Sequence, residues 1–138
     1  MGTPEQNKAL VIRFMDALSS GDIATAAACF DAEKYYSHAY EADLPGTWEQ
    51  QKAQYRSGTW TDVSSKRIAL LADGDRVAHH GEFTATHSGE FLGVPASGRR
   101  ITMQSLEIWR VEDDKIVEHS GGFIVTPHVM ARLRGERE

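Results

Sequence analysis

The spacing of apolar residues changes near Gly58, and this change limits the folds that are open to the chain. Before Gly58, apolar side chains recur every three or four residues, which is typical of helices with one buried face. After it, residues 66–72 and 76–87 alternate between polar and apolar side chains, which is typical of strands. Helices followed by antiparallel strands predict an α+β fold, with the helices packed on one face of a curved sheet.

Two helices are predicted at the start of the chain. Thr3 and Gln6 form the sequence pattern of a capping box, and Gly21 provides a natural end to the first helix. Asp22 can cap a second helix that runs through Phe30. The many alanines of this second helix allow it to pack closely against a neighbour.

One strand and one further helix are predicted before the main sheet. Residues 35–40, YYSHAY, are rich in the aromatic residues that favour strands. The Pro-Gly pair at 45–46 should interrupt this strand, and Thr47 can cap a third helix over residues 48–57.

Two hairpins are predicted in the second half of the chain. The turn Asp-Gly-Asp at 73–75 joins residues 66–72 to 76–87. A second acidic turn at 112–115 joins residues 101–111 to a strand that starts at Ile116. These hairpins supply most of the predicted sheet.

The second hairpin carries polar side chains where a hydrophobic core would favour none: Gln104, Glu107, Glu118 and His119. Such residues indicate a polar cavity. Because side chains alternate along a strand, Glu118 and His119 point to opposite faces, so at most one of them faces the cavity. Histidine is suited to acid–base catalysis, although His119 could also be a hydrogen-bonded residue at a strand or dimer surface.

Glu107 lies between Leu106 and Ile108 in a segment with few other charges. A carboxylate in such a place must be paired, hydrogen-bonded or exposed to a wet cavity. Two hypotheses follow: an acid–base group in a pocket, or an ion pair with an arginine such as Arg100 or Arg67.

His87 ends the long strand of the first hairpin, and it lies on the same face of that strand as several apolar residues. It is either a second acid–base group of the pocket or a histidine that holds the loop GEFLG at 89–93 through a backbone carbonyl. His38 is a further candidate of the same kind. Tyr36 shares its parity and either lines the cavity mouth or packs under the third helix.

Composition excludes several classes of function. The 138 residues contain no internal linker, so a single domain over residues 1–138 is expected. A formal net charge of −5 argues against binding to nucleic acid, and no apolar run reaches the ~20 residues that span a bilayer. The only cysteine, Cys29, lies in an apolar run and indicates a buried thiol in a reducing compartment. We therefore expect a cytoplasmic protein.

No cofactor or metal is expected from the motifs. No histidine pair has helical spacing, and the adjacent His79 and His80 point to opposite faces of their strand. Glycine-rich phosphate loops and a nucleophilic serine elbow are also missing from the sequence. One non-local set of metal ligands stays conceivable, made of His38, His87, His119 and Glu107.

Three segments of the chain together resemble the SnoaL-like polyketide cyclase family: NKALVIRFMDALSSGD, THSGEFLGVPASGRR and IWRVEDDKIVEH. This family belongs to the nuclear transport factor 2 (NTF2-like) superfamily of α+β cone folds. The resemblance implies a strongly curved sheet, lidded by helices, whose concave face encloses a small-molecule pocket, often in a homodimer. Family members include aldol cyclases, epoxide-opening enzymes, isomerases and proteins with no known reaction.

The chain departs from the aldol cyclases at one point. In those enzymes the Glu-His pair of the last strand continues into a tryptophan and then an acid/base aspartate. Here Glu118 and His119 are followed by Ser120, Gly121 and Gly122, so both residues are missing. The glycines indicate either a bulge in the strand or a close approach of a ligand or another backbone.

The sequence therefore predicts a cofactor-independent enzyme that acts on a hydrophobic, oxygenated, polyketide-like molecule by cyclisation, epoxide opening or isomerisation. His119 and His87 would transfer protons, and Glu107 would act as a base or orient a histidine. The residues expected to bind the substrate are His38, Tyr36, Trp48, Gln104 and Phe123. The alternative is a non-catalytic module of the same fold that binds a small molecule or serves as a dimeric interaction partner.

Overall fold

The computed structural model describes residues 2–137. Along the chain the elements are α1 (Pro4–Ser20), α2 (Ile23–Ala28), β1 (Tyr36–Ser37), α3 (Leu44–Ser57), β2 (Trp60–Asp73), β3 (Arg76–His87), β4 (Arg100–Glu112), β5 (Lys115–Phe123) and α4 (Pro127–Leu133). The strands form one sheet in the order β1-β5-β4-β3-β2, in which only β1 and β5 are parallel. The predicted α+β fold is confirmed.

The first two helices begin where the capping pattern predicts. The Thr3 side chain accepts a hydrogen bond from the Gln6 amide, and the Gln6 side chain accepts one from the Thr3 amide. Gly21 ends α1 with a left-handed φ of 79°. Asp22 then caps α2 by accepting a hydrogen bond from the Thr25 amide.

The region between α2 and the hairpins differs from the prediction. Helix α3 begins at Leu44 rather than after Thr47, because the Asp43 side chain caps it and proline is tolerated in a first helical turn. Strand β1 contains only two residues, because the chain turns back after it and Ser37 pairs with Ala42 through backbone hydrogen bonds of 2.8 and 3.2 Å.

Both predicted hairpins form, and β2 starts at Trp60, earlier than expected. The ladders are interrupted by register shifts, two between β2 and β3 and one beside Val111 in β4. Such irregularities bend a strand and increase its twist, so they curve the sheet. The inward face of this sheet carries alternate residues of β3 and β4, beginning with Val77 and Ile101.

Two hydrophobic clusters cover the inward face at its two ends. The first joins α1 and α2 to the sheet, and Phe14 and Trp109 lie at its centre with ring centroids 6.2 Å apart. The second joins α4 to β4 through residues such as Met103 and Leu133. No helix within residues 2–137 has the length and apolarity needed to cross a membrane.

Candidate active site

Glu107 lies on the inward face of β4, between the two hydrophobic clusters. The strand register places His79 of β3 on one side of it and Gly121 of β5 on the other. Its inward-facing neighbours along β4 are Ser105 and Trp109, which are both buried. The Glu107 side chain itself remains 26% exposed. The middle of the inward face therefore presents a carboxylate to solvent.

The Glu107 carboxylate is held by His119. Nε2 of His119 lies 2.8 Å from Oε2 of Glu107, and the His119 side chain is only 7% exposed. Two residues that the sequence identified separately thus form one hydrogen-bonded pair. The arginines considered as ion-pair partners lie elsewhere, since Arg67 pairs with Asp16 and Arg100 donates to the Asp62 carbonyl.

Ser37 holds the other nitrogen of His119. Its Oγ lies 3.0 Å from His119 Nδ1, and it also accepts a hydrogen bond from the Tyr40 amide at 3.2 Å. The Ser37 hydroxyl hydrogen can therefore be donated to Nδ1. His119 then carries its proton on Nε2 and donates it to Glu107, which makes His119 the residue that orients the carboxylate.

Aromatic rings enclose the buried histidine. Tyr40 stacks on His119 with ring centroids 6.4 Å apart, and Trp109 lies 5.6 Å away on the sheet side. Burial raises the pKa of Tyr40 and raises the pKa of Tyr35 to about 12. Both phenols therefore stay protonated at neutral pH, and neither can serve as a base.

The second carboxylate oxygen of Glu107, Oε1, is available to a ligand. Among residues 2–137, Oε1 has no hydrogen-bond partner, and it is not one of the buried polar atoms. A carboxylate with one oxygen fixed and the other free is arranged to accept a proton. The geometry thus leaves Oε1 of Glu107 free while His119 holds Oε2.

The structure does not bring His87 to this pair. His87 is fully buried, its ring lies 5.4 Å from the Trp60 ring, and its Nδ1 accepts hydrogen bonds from the Ser97 hydroxyl and amide. No bond joins it to Glu107 or His119 within the described chain. The His87 ring does hold the following loop, but its partners are the hydroxyl and amide of Ser97 rather than a backbone carbonyl of residues 89–93.

His38, Tyr36 and Gln104 lie away from the inward face. Nε2 of His38 is 2.7 Å from the Glu118 carboxylate, and the Tyr36 ring packs edge-on against the His38 ring. The parallel pairing of β1 with β5 explains this, because it places Tyr36 beside Glu118 and not beside His119. His38 and Tyr36 therefore lie on the face of the sheet opposite to Glu107.

Gln104 also lies on the outer face. It hydrogen-bonds with His80 and Glu82, which are outward-facing residues of β3. The even-numbered residues of β4 alternate with Glu107, so Gln104 cannot line the same surface.

The two remaining expected binding residues are aromatic and differ in position. Trp48 packs against Phe30 of the first cluster with ring centroids 5.6 Å apart. Phe123 is 47% exposed and contacts Phe83 on the inward face, at a centroid distance of 4.9 Å. Phe123 can therefore touch a ligand beside Glu107, whereas Trp48 belongs to the packing.

Sequence reasoning gave no role to Ser37 or His79. Alternation within YYSHAY does put Ser37 on the face opposite to Tyr36 and His38. Its contact with His119 depends on a strand pairing across 82 residues, which local patterns do not reveal. His79 lies on the same face of its strand as His87. That shared face was the sequence signal that could have identified His79 as a residue of the site.

Within the described residues, no group of three His, Cys, Asp or Glu side chains is arranged to hold a metal ion. Two depressions elsewhere on the surface have volumes of about 560 and 450 Å³. The first lies along α1 and α2, and the second lies between β4 and α4; neither contains Glu107, His119 or His79. The Glu107–His119 pair occupies an open part of the inward face instead.

Comparison with known proteins identifies the family. The family model for SnoaL-like polyketide cyclases matches residues 9–122. The chain belongs to this family. Membership supports a general cyclase-type role and the binding of a small-molecule substrate. No curated protein is significantly similar in sequence.

Solved structures agree with the family assignment. AclR from Streptomyces galilaeus, a proposed hydroxylase, is 26% identical, with 96% of this chain and 98% of that chain covered and a TM-score of 0.76. IdmH from Streptomyces antibioticus, a proposed polyketide cyclase, is 27% identical over 94% of this chain and 99% of that chain, with a TM-score of 0.73. A SnoaL-like polyketide cyclase from Agrobacterium tumefaciens is 18% identical over 98% of this chain and 100% of that chain, with a TM-score of 0.77. At this identity the similarity shows the fold alone.

The position of the missing aspartate can be located within this SnoaL-like chain. Gly121 is the second residue after His119, where the Glu-His-Trp-Asp order would place the aspartate. Gly121 is also the direct partner of Glu107 across the ladder between β5 and β4. A carboxylate is therefore present next to the expected position, but it comes from the neighbouring strand.

Proposed function

We propose that this SnoaL-like protein is a cofactor-independent acid–base enzyme that removes a proton from a carbon atom next to a carbonyl group. Its substrate is a hydrophobic, oxygenated molecule of the polyketide type, which then closes a ring or isomerises. The observation that carries the proposal is the Glu107 carboxylate, fixed through Oε2 by His119 at 2.8 Å and open at Oε1.

The proposed step uses each part of this arrangement. Oε1 of Glu107 takes the proton, and the electrons of the broken C–H bond move onto the carbonyl oxygen to give an enolate. The enolate carbon then attacks a second carbonyl carbon of the same molecule, whose oxygen takes the proton back from Glu107. In an isomerisation, the proton returns from Glu107 to another carbon instead. His119 does not react. It keeps the carboxylate in place and orients its free oxygen, which lowers the entropic cost of reaching a reactive geometry.

The surroundings of Glu107 support a hydrophobic substrate. Phe83 and Phe123 contact each other on the inward face, and Trp60 packs edge-on against Phe83 with ring centroids 5.8 Å apart. Flat aromatic surfaces beside one polar group are typical of sites that bind apolar ligands in a fixed orientation. Epoxide opening, with Glu107 activating a water molecule, is the second reaction that this equipment allows.

The proposal can be tested without knowing the natural substrate. A nitrobenzisoxazole is a general probe for a base in an apolar site: loss of its carbon-bound proton breaks the N–O bond and releases a coloured cyanonitrophenolate. The wild-type protein should accelerate this reaction, and Glu107→Gln should reduce the rate by about 100-fold or more, as expected for loss of a general base.

Glu82→Gln is a matched control, because Glu82 is a half-buried glutamate of the neighbouring strand that faces outward and bonds to Gln104. It should keep the wild-type rate. Equal rates for wild type and Glu107→Gln would reject the catalytic proposal and favour the alternative, a binding module of the same fold.

We also propose that the protein acts as a homodimer through the outer face of the sheet. Leu71, Leu106 and Ile108 are 66%, 52% and 44% exposed on that face, although they are large and apolar. Large apolar side chains exposed on one face of a sheet support pairing with a second copy. Light scattering should give the mass of a dimer, and Leu106→Glu should give a monomer. Leu92→Glu, at an exposed leucine outside the sheet, is the control.

A further inference from the structure

His79 lies beside the proposed base without a partner of its own. The register of β3 and β4 pairs it directly with Glu107, and side chains so paired have Cβ atoms roughly 5 Å apart. Among residues 2–137, His79 makes no side-chain hydrogen bond; its Nδ1 is buried and unpartnered, whereas Nε2 is not a buried atom. A ligand that reaches Oε1 of Glu107 would therefore meet Nε2 of His79.

The neighbours of His79 fix the direction of its ring. The ring lies 6.0 Å from that of Trp109 on the buried side. On the other side it occupies the space over Gly81, where an added Cβ would come within 2.7 Å of His79 Cε1 and 3.3 Å of Nε2. A glycine at position 81 thus leaves room for the imidazole to lie along the strand on the inward face.

We propose that His79 is a catalytic residue that donates a hydrogen bond from Nε2 to the substrate oxygen on which negative charge develops. This inference rests on the proposed function, in which Glu107 removes the proton. Base and donor come from adjacent strands and face the same ligand position. They would supply the two complementary groups that proton abstraction next to a carbonyl requires.

The charge and burial of the surroundings suit this role. Burial lowers the pKa of His79 and is a larger effect than the opposing charge of Glu107, while Arg67 and His80 lower this pKa by smaller amounts. His79 is therefore a neutral imidazole at pH 7. Because the buried Nδ1 has no acceptor for a proton, the tautomer with the proton on Nε2 is favoured. In the step itself, the proton moves from carbon to Glu107, and the new charge on oxygen is stabilised by the Nε2–H group.

The test compares two probes that differ only in their leaving group. Ring opening of a nitrobenzisoxazole produces a phenolate that its nitro group already stabilises. Unsubstituted benzisoxazole produces a more basic phenolate, whose formation depends more strongly on a hydrogen-bond donor. His79→Phe should slow the nitro probe by about 10-fold and the unsubstituted probe by about 100-fold, because a donor matters most where more charge develops. His79→Gln, which keeps an N–H donor, should restore part of the loss.

An equal loss for both probes would overturn the assignment, since a residue that only supports Glu107 would slow both reactions by the same factor. The result separates the two proposals: if Glu107→Gln is inactive and His79→Phe is not selective, only the role of His79 fails. If Glu107→Gln is fully active, the base itself fails.

The wild-type protein allows a second test that does not depend on the folding of a variant. Nitrogen-15 NMR of the histidine rings reports which nitrogen of His79 carries the proton at pH 7. A proton on Nε2 supports the proposal, and a proton on Nδ1 contradicts it.

Gly81→Ala should move the ring from its place and reproduce the selective loss with the unsubstituted probe.

Discussion

Glu107 lies directly across the β4–β5 ladder from Gly121, whose φ is 97°. A Cβ at Gly121 would collide with the carbonyl oxygen of Leu106. An aspartate at this position would therefore not fit this backbone. The carboxylate of the site is supplied instead by β4. The backbone of β5, which has no side chain at this position, lies against β4.

The first prediction concerns this glycine. Gly121→Ala should lower the free energy of unfolding by about 2–4 kcal/mol, because it combines a left-handed backbone with a clash against backbone atoms. Gly122→Ala is the matched control, since an added Cβ there would meet nothing within 4 Å. Urea unfolding of both variants measures the difference. Equal stabilities would show that β5 can relax at Gly121.

The second prediction concerns Ser37. Ser37→Ala removes the group that holds His119 Nδ1, so His119 can adopt the other tautomer and release Glu107. The turnover rate of the nitrobenzisoxazole probe should fall about 10-fold, and its KM should change little. Nitrogen-15 NMR should show a changed tautomer for His119. Ser105→Ala, a buried serine on the same face, should leave that tautomer as it is in the wild type.

The third prediction separates His87 from the site. His87→Phe keeps a ring of similar size but removes the acceptor for the Ser97 hydroxyl and amide. The probe rate should stay within about twofold of wild type, and stability should fall by no more than about 1 kcal/mol, because Ser97 is exposed and can bond to water instead. A large loss of rate without a loss of stability would return His87 to the list of catalytic residues.

The fourth prediction concerns the pH dependence of stability. Burial lowers the pKa of His79 below its ordinary value of 6.5, so below about pH 6.5 the unfolded chain binds more protons than the folded one. The contribution of this residue to the free energy of unfolding is therefore complete at pH 7, and it decreases as the pH falls. Urea unfolding at pH 7 and pH 5 should show a smaller decrease for His79→Phe than for wild type. Parallel decreases would contradict the assigned direction.

The sequence predicted the parts of the fold that depend on local chemistry. The Thr3 capping box, the end of α1 at Gly21 and the two acidic turns are local signals, and each appears in the structure. The start of α3 was predicted too late, because the proline at 45 was taken as a break, although proline is accepted in a first turn and Asp43 caps the helix.

The site was predicted in part, for a physical reason. Alternation separates the faces of a strand, and it correctly placed His119 and Glu118 on opposite sides. It does not say which strands are neighbours. The contacts of His38 and Ser37 depend on the parallel pairing of β1 with β5, which joins residues 82 apart, and no local pattern encodes that pairing.

Chemical rescue tests the central claim, that Glu107 is the general base, most directly. Glu107→Ala removes the carboxylate and leaves space near its position, so added acetate can take its place. We expect Glu107→Ala to be nearly inactive on the nitrobenzisoxazole probe, and we expect its rate to rise with acetate concentration above the rate of acetate alone. Wild-type activity in Glu107→Ala without acetate would contradict it.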